Sequence, residues 1–332
     1  MVGEPKKVEL SNRGSLNVFR EIFKIPEIGI LIPMIFILLV FFIIKPIFFS
    51  RDNIVTIMRS MAYYGIIAIG ETLVILTGEI DISVGSVAGL GAILASGFMV
   101  NMRLDVASSI LLALIICGLI GLINGMLIVK LKIPAFIATI GMFYIARGIS
   151  YLISKGYPFY PLPEFIVKYG SMEPLGTSWA FLIFIVLIII FDQILRRTVY
   201  GRETYATGGN PEVAKIAGIN VSLIKIIPFV FSSFFSALSG ILLMSSIKTG
   251  EPTIGQGWEL TVIACVIVGG ISLLGGAGTM MGTLIGVIII LSVQNGLVII
   301  GVSTYWQTVA IGLIMIGAVY IDMIRRQRQI SI

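Results

Sequence analysis

Apolar runs long enough to cross a bilayer follow one another along this chain, separated by short polar links, and within them apolar and polar positions do not alternate. A spanning helix needs ~20 mostly apolar residues, whereas a barrel strand needs only about ten and alternates along its length. The runs therefore predict helices, about ten in all: 28–44, 54–77, 86–100, 106–129, 134–153, 179–195, 226–247, 260–274, 280–299 and 304–323. Pro134 opens the fifth, and GEIDISVG (78–85) separates the second from the third. Residues 154–178 read as a polar loop rich in Pro and Gly. The expected fold class is all-α: a polytopic membrane protein with a leader (1–27), a transmembrane domain (28–323) and a basic tail (324–332).

Composition strengthens the pattern. Hydrophobic residues make up 57% of the 332 and charged residues 12%, about half the charged share of soluble domains. The leader is polar and basic, without a short apolar core and cleavage site, so no signal peptide is expected. Cys117 and Cys265 sit inside apolar runs and read as small buried hydrophobes. The chain has no histidine, which removes His-based metal sites, Ser-His-Asp triads and histidine proton relays.

The net charge of +6 is explained by orientation before nucleic acid is invoked. With the N-terminus inside, an even number of spans returns the C-terminus to the cytoplasm, and the inside segments then hold roughly twice as many Lys and Arg as the outside ones. Trp179, Trp258 and Trp306 fall at the outer ends of their runs, where an aromatic belt would hold them.

On the inner side lies one polar, basic stretch, 196–225, expected to be a loop around one short helix. Asn210 is a good N-cap, Pro211 suits the first helical position, and Glu212 puts a carboxylate at the positive end of the dipole. Gly218 can close the helix in a left-handed conformation. The enclosed segment, 211–217, spans about two turns and is too short to hold itself together in water. Val213, Ile216 and Ala217 form an apolar stripe, with Lys215 on another side. Such a helix reads either as a docking element or as a plain connection.

Ionisable groups within the apolar runs carry more information, because each is costly at depth unless paired or hydrated. They are Glu71, Glu79, Asp81 and Arg147. Glu79 and Asp81 fit an interfacial turn facing water or a broken helix lining a pathway; Glu71 is deeper, and Arg147 is its candidate partner. Ser83 accompanies Asp81, and Thr72, Asn124, Thr139, Gln294 and Asn295 can bond across helices or to a polyol. The glycine pairs 85/89 and 121/125 and the ridge 278/282/286 read as close-packing surfaces. A weak echo links the runs from 72 and from 265, both broken at glycines and restarted with small residues. No phosphate-binding GxxxxGK[ST] loop occurs in the chain. If transport is driven by ATP, hydrolysis belongs to another polypeptide.

Four stretches carry a family likeness: TLVILTGEIDISVGS (72–86), LKIPAFIATIGMFYIARGIS (131–150), YGRETYATGGNPEVAKIAGINV (200–221) and GISLLGGAGTMMGTLIGVIIILSVQNGL (270–297). From about residue 50 to residue 322 the chain resembles the permease subunits of bacterial monosaccharide ABC importers, nearest to the ribose and xylose type. The resemblance implies a multi-pass inner-membrane subunit that works by alternating access, itself not an enzyme and binding no cofactor. Its implied partners are ATPase subunits that bind ATP and Mg, a periplasmic or lipid-anchored sugar-binding protein, and a second copy or related permease. It also implies that Gly208, Gly209, Asn210, Pro211, Glu212, Val213, Ala214, Lys215 and Gly218 belong to the coupling element seated in the ATPase cleft. One position departs: Glu79 stands where the family commonly has glycine, adding a charge beside Asp81. Rival readings are a related permease for branched-chain amino acids, nucleosides or a signalling sugar, and an ion-driven secondary transporter.

Overall fold

The computed structural model describes residues 28–330. The expected leader, 1–27, and residues 331–332 lie outside the described residues. The apolar runs form α1 (Ile28–Ile44), α2 (Arg51–Leu76), α3 (Val84–Val100), α4 (Val106–Val129), α5 (Ala135–Ser154), α7 (Trp179–Arg197), α10 (Val221–Ile247), α11 (Trp258–Val268), α12 (Met280–Ile299) and α13 (Thr304–Ile330). Between them come α6 (Glu164–Ser171), α8 (Val199–Gly209) and α9 (Pro211–Ile216). Six helices (α2, α4, α5, α7, α10 and α12) are long and apolar enough to cross a membrane, and four shorter apolar helices accompany them. The chain is an all-helical polytopic membrane protein.

Helix α10 organises the interior. Its 27 residues span about 40 Å at ~1.5 Å per residue, and it packs along α2, α3 and α4. The contacts are made by small residues. Gly121 and Gly125 of α4 lie against Phe229 and Ile226, Gly70 of α2 against Ser232, and Gly91 of α3 against Ala237. Without a hydrophobic drive between helices in lipid, such close approach is what supplies packing energy. Large apolar side chains on α1, α4 and α5, among them Ile43, Leu111 and Leu152, point outward. Lipid is the natural solvent for them.

Five expectations are corrected. The run 260–274 is not a full span: α11 has 11 residues, about 16 Å at ~1.5 Å per residue, and 269–279 leaves the helix through turns. The preceding segment folds back into the bundle, so Trp258 packs on Tyr64 of α2 with ring centroids 4.8 Å apart and is no belt residue. The loop 154–178 contains α6, whose Ile166 carbonyl accepts a hydrogen bond from Ser245 of α10 at 2.7 Å. The stretch 196–225 is mostly helical, with α8 before α9 and α10 starting at Val221. Thr198 caps α8 by accepting from the Gly201 amide, a local signal hidden by the basic composition. The helix expected to end at Met323 runs on to Ile330 through the first part of the expected tail.

Candidate functional site

The short helix α9 has the expected construction. The Asn210 side chain accepts from the amides of Glu212 at 3.0 Å and Val213 at 3.1 Å, satisfying two of the donors a helix start leaves open. Gly218 adopts φ +86° just beyond its end, a conformation that costs glycine little. Ala214 faces inward and is 3% exposed, whereas Val213 and Ile216 are 60% and 88% exposed. The apolar stripe therefore points away from the protein. On another side Lys215 borders a cleft of about 390 Å³ that also contains Glu79 and Lys225.

What α9 is joined to is more telling. Residues 208–209, at the end of α8, lie where the two broken membrane segments meet. The Gly276 amide donates to the Leu76 carbonyl at 2.9 Å, bonding the second break to the first. A Cβ on Gly208 would run into that same Leu76 oxygen, and one on Gly276 would press on the Gly209 backbone. Gly275 lies equally close to the amide of Gly78. Tyr205 of α8 adds a bond from its hydroxyl to the Gly278 carbonyl at 2.9 Å. Three glycine-bearing turns thus touch through their main chains, a closeness that any side chain would prevent.

At the first break Gly78 is exposed and Glu79 is half-buried, but the second carboxylate is enclosed. Asp81 is wholly inaccessible and accepts from the Ser83 amide at 2.9 Å, the Ser83 hydroxyl at 2.5 Å and the Ser232 hydroxyl of α10 at 2.9 Å. Its own amide donates to Glu71 at 3.2 Å. Asn124 of α4 donates to the Ser83 hydroxyl at 3.2 Å. Thr139 of α5 reaches the Ile80 carbonyl at 3.4 Å. Beside Glu71, the hydroxyls of Thr72 and Thr283 share a 2.7 Å hydrogen bond that ties α2 to α12. Glu71, Thr72, Asp81, Ser83, Asn124 and Thr139 are therefore gathered around the break. Buried polar groups cluster this way because each must find a partner at depth.

Three expected members lie elsewhere. Arg147 does not pair with Glu71. Its guanidinium donates to the carbonyls of Pro252, Ile254 (2.9 Å) and Gly85 (3.2 Å), holding the segment before α11 against the start of α3. Asn295 exchanges two amide bonds with Asn53, 2.9 and 2.8 Å, at the opposite end of α2 from Glu71. Gln294 neighbours that pair and is half-buried. Glu79, the departure from the family motif, turns away from Asp81 to an ion pair with Lys225 of α10 at 2.5 Å.

Sequence reading missed Ser232, Thr283, Lys225 and Glu259. The serines had a signal: Ser232, Ser236 and Ser239 recur at helical spacing in α10, and all are buried. Glu259 had none, since its carboxylate comes to lie beside Gly85 of α3 only through the fold-back of the segment before α11. Among the described residues no group of three or more acidic, Cys or His side chains is arranged to hold a metal.

Known proteins resemble this chain over most of its length. Residues 53–319 match the family described as branched-chain amino acid transport system / permease component. The ribose import permease protein RbsC of Haemophilus influenzae is 40% identical over 296 residues, 88% of this chain and 91% of that protein. RbsC of Bacillus subtilis is 37% identical over 298 residues, 89% and 92% of the two chains. The L-arabinose ABC transporter permease protein AraH of Azospirillum brasilense is 34% identical over 287 residues, 86% and 84%. No solved structure matches the chain. With the match running through both membrane breaks and the α8–α9 element, this chain belongs to the branched-chain amino acid transport system / permease component family.

Proposed function

We propose that the chain is the membrane-spanning subunit of an ATP-driven importer that carries a monosaccharide of the ribose type across the cytoplasmic membrane by alternating access. The observation that carries the reading is α9: a capped helix with an outward apolar stripe, joined through Gly208 and Gly209 to both membrane breaks. A partner ATPase, which binds ATP and Mg, covers Val213 and Ile216. When it closes on nucleotide, α9 moves and the two breaks move with it. The shift can be no larger than the difference in the partner's binding to the two states. A separate binding protein delivers the sugar, and a second copy or related permease completes the pathway. With α11 and the irregular segments on either side of it taken together as one broken crossing, the six long helices and the other three shorter ones support ten crossings with both termini cytoplasmic, in the inner membrane. The sugar named for its relatives favours a monosaccharide over a branched-chain amino acid.

The test is uptake of D-ribose by proteoliposomes holding this chain with its ATPase and binding protein. Glu212→Lys and Gly218→Val are expected to abolish uptake and ATPase stimulation while leaving membrane insertion intact. Normal transport by both variants sinks the coupling assignment. Uptake of L-leucine and not of D-ribose sinks the sugar.

A further inference from the structure

The segment between α10 and α11 enters the bundle without forming a helix. Gly250 lies against Ser96 of α3, Ile254 against Gly89 and Gly255 against Gly85. From Ser96 back to Gly85 a helix rises about 16 Å at ~1.5 Å per residue, half of a hydrocarbon core ~30 Å thick. Trp258 then meets Tyr64, midway along α2. Irregular backbone at such depth is stable only where protein buries it or water reaches it. The inner side meets the first condition: Pro252, Ile254 and Gly255 are buried, and Arg147 occupies the carbonyls of Pro252 and Ile254. The other side does not. Thr253, Gln256 and Gly257 are exposed, so a hydroxyl and a carboxamide stand uncovered at the level of the membrane interior.

We propose that this segment is a wall of the translocation pathway, that Thr253 and Gln256 offer their side chains to a polyhydroxylated substrate, and that Arg147 is the positioning residue that holds the wall in place. A hydroxyl and a carboxamide both donate and accept, as do the hydroxyls of a sugar. Arg147 suits its task because a guanidinium presents several donors in a fixed plane and spans carbonyls from two segments. The substrate class rests on the transport reading above; water access to the wall does not.

The experiment uses the reconstituted transporter with its ATPase and binding protein. Thr253→Cys and Gln256→Cys are made singly, with Leu111→Cys on the outward apolar face of α4 as the lipid-facing control. A charged, membrane-impermeant methanethiosulfonate is supplied on both sides of the bilayer. The first two cysteines are expected to react at least about tenfold faster than the third, because the thiolate that reacts forms in water. D-ribose with its binding protein is expected to slow them. Rates equal to the Leu111→Cys rate, with and without nucleotide, overturn the wall. Fast labelling that D-ribose does not alter, with an unchanged KM for uptake in Gln256→Ala, overturns the substrate contact. For Arg147, Arg147→Gln is expected to change the labelling rate at Thr253→Cys and Arg147→Lys to restore it in part; a rate indifferent to both overturns the positioning role. A transporter that takes up no ribose yet labels quickly refutes the sugar reading and leaves the wall standing.

Discussion

Lys225, in the second turn of α10, forms an ion pair with Glu79 of the first membrane break at 2.5 Å, and both side chains are less than one-fifth exposed, 19% and 18%. The pair fastens the break to the helix that runs from α9 through the centre of the bundle. Its burial places it between exposed pairs, worth about 0–1 kcal/mol, and buried ones, where removing one partner costs about 3–5 kcal/mol. Glu79→Gln or Lys225→Met alone is expected to lower stability by about 1–3 kcal/mol. The double variant should lose less than the sum of the two. Thermal unfolding in detergent of the four members of the cycle measures this; strict additivity refutes the coupling.

Gly208 and Gly209 are adjacent, yet they differ in what they touch. Gly208 has no room for a Cβ, and Gly209 has nothing within 4 Å of one. Gly208→Ala is expected to force backbone movement at a cost of about 1–3 kcal/mol and to cut uptake severely. Gly209→Ala should transport like the parent. Uptake normalised to inserted protein separates them, and equal activity of the two variants would show that the junction does not matter.

The cap on α9 predicts a local effect. Asn210→Ala removes the acceptor of two amide hydrogen bonds and is expected to destabilise the helix by about 0.5–2 kcal/mol, with Asn210→Ser losing less. A helix of six residues has little else to hold it. Amide hydrogen exchange should speed up across 211–217 and remain unchanged in α10. Uniform acceleration throughout the bundle would contradict this.

Glu71 keeps one carboxylate oxygen bonded to the Asp81 amide, while the other has no partner among the described residues. Glu71→Gln preserves the bond and removes a buried acid, so it is expected to leave the unfolding temperature unchanged or raise it. Asp81→Leu strips the acceptor from Ser83 and Ser232 and should cost about 2–4 kcal/mol, since each orphaned buried donor carries a penalty of about 1–3 kcal/mol. A large loss from Glu71→Gln would mean that the charge itself is needed.

Helix existence was legible wherever an apolar run was continuous, because lipid demands that each such run satisfy its own backbone. The capped α9 was legible for a different reason: Asn210, Pro211 and Gly218 act locally. Less visible was anything that depended on two distant segments meeting. Nothing near Arg147 says that it will bind carbonyls of residues 252 and 254 instead of the Glu71 carboxylate. An apolar run such as 260–274 looks alike whether it spans or stops halfway. Glu79 stands out in the sequence as a surplus charge, but nothing local marks Lys225 as its partner.

The meeting point of residues 76–78, 208–209 and 275–276 is built from main-chain atoms, and that limits how such a protein can diversify. Side-chain chemistry is the usual material of adaptation, and at Gly208, Gly275 and Gly276 it is missing: there is no polarity to tune, no volume to trade, no charge to reverse. A lineage that changes its cargo must therefore do so at other positions, leaving these three glycines as a fixed point around which different pathways can be built.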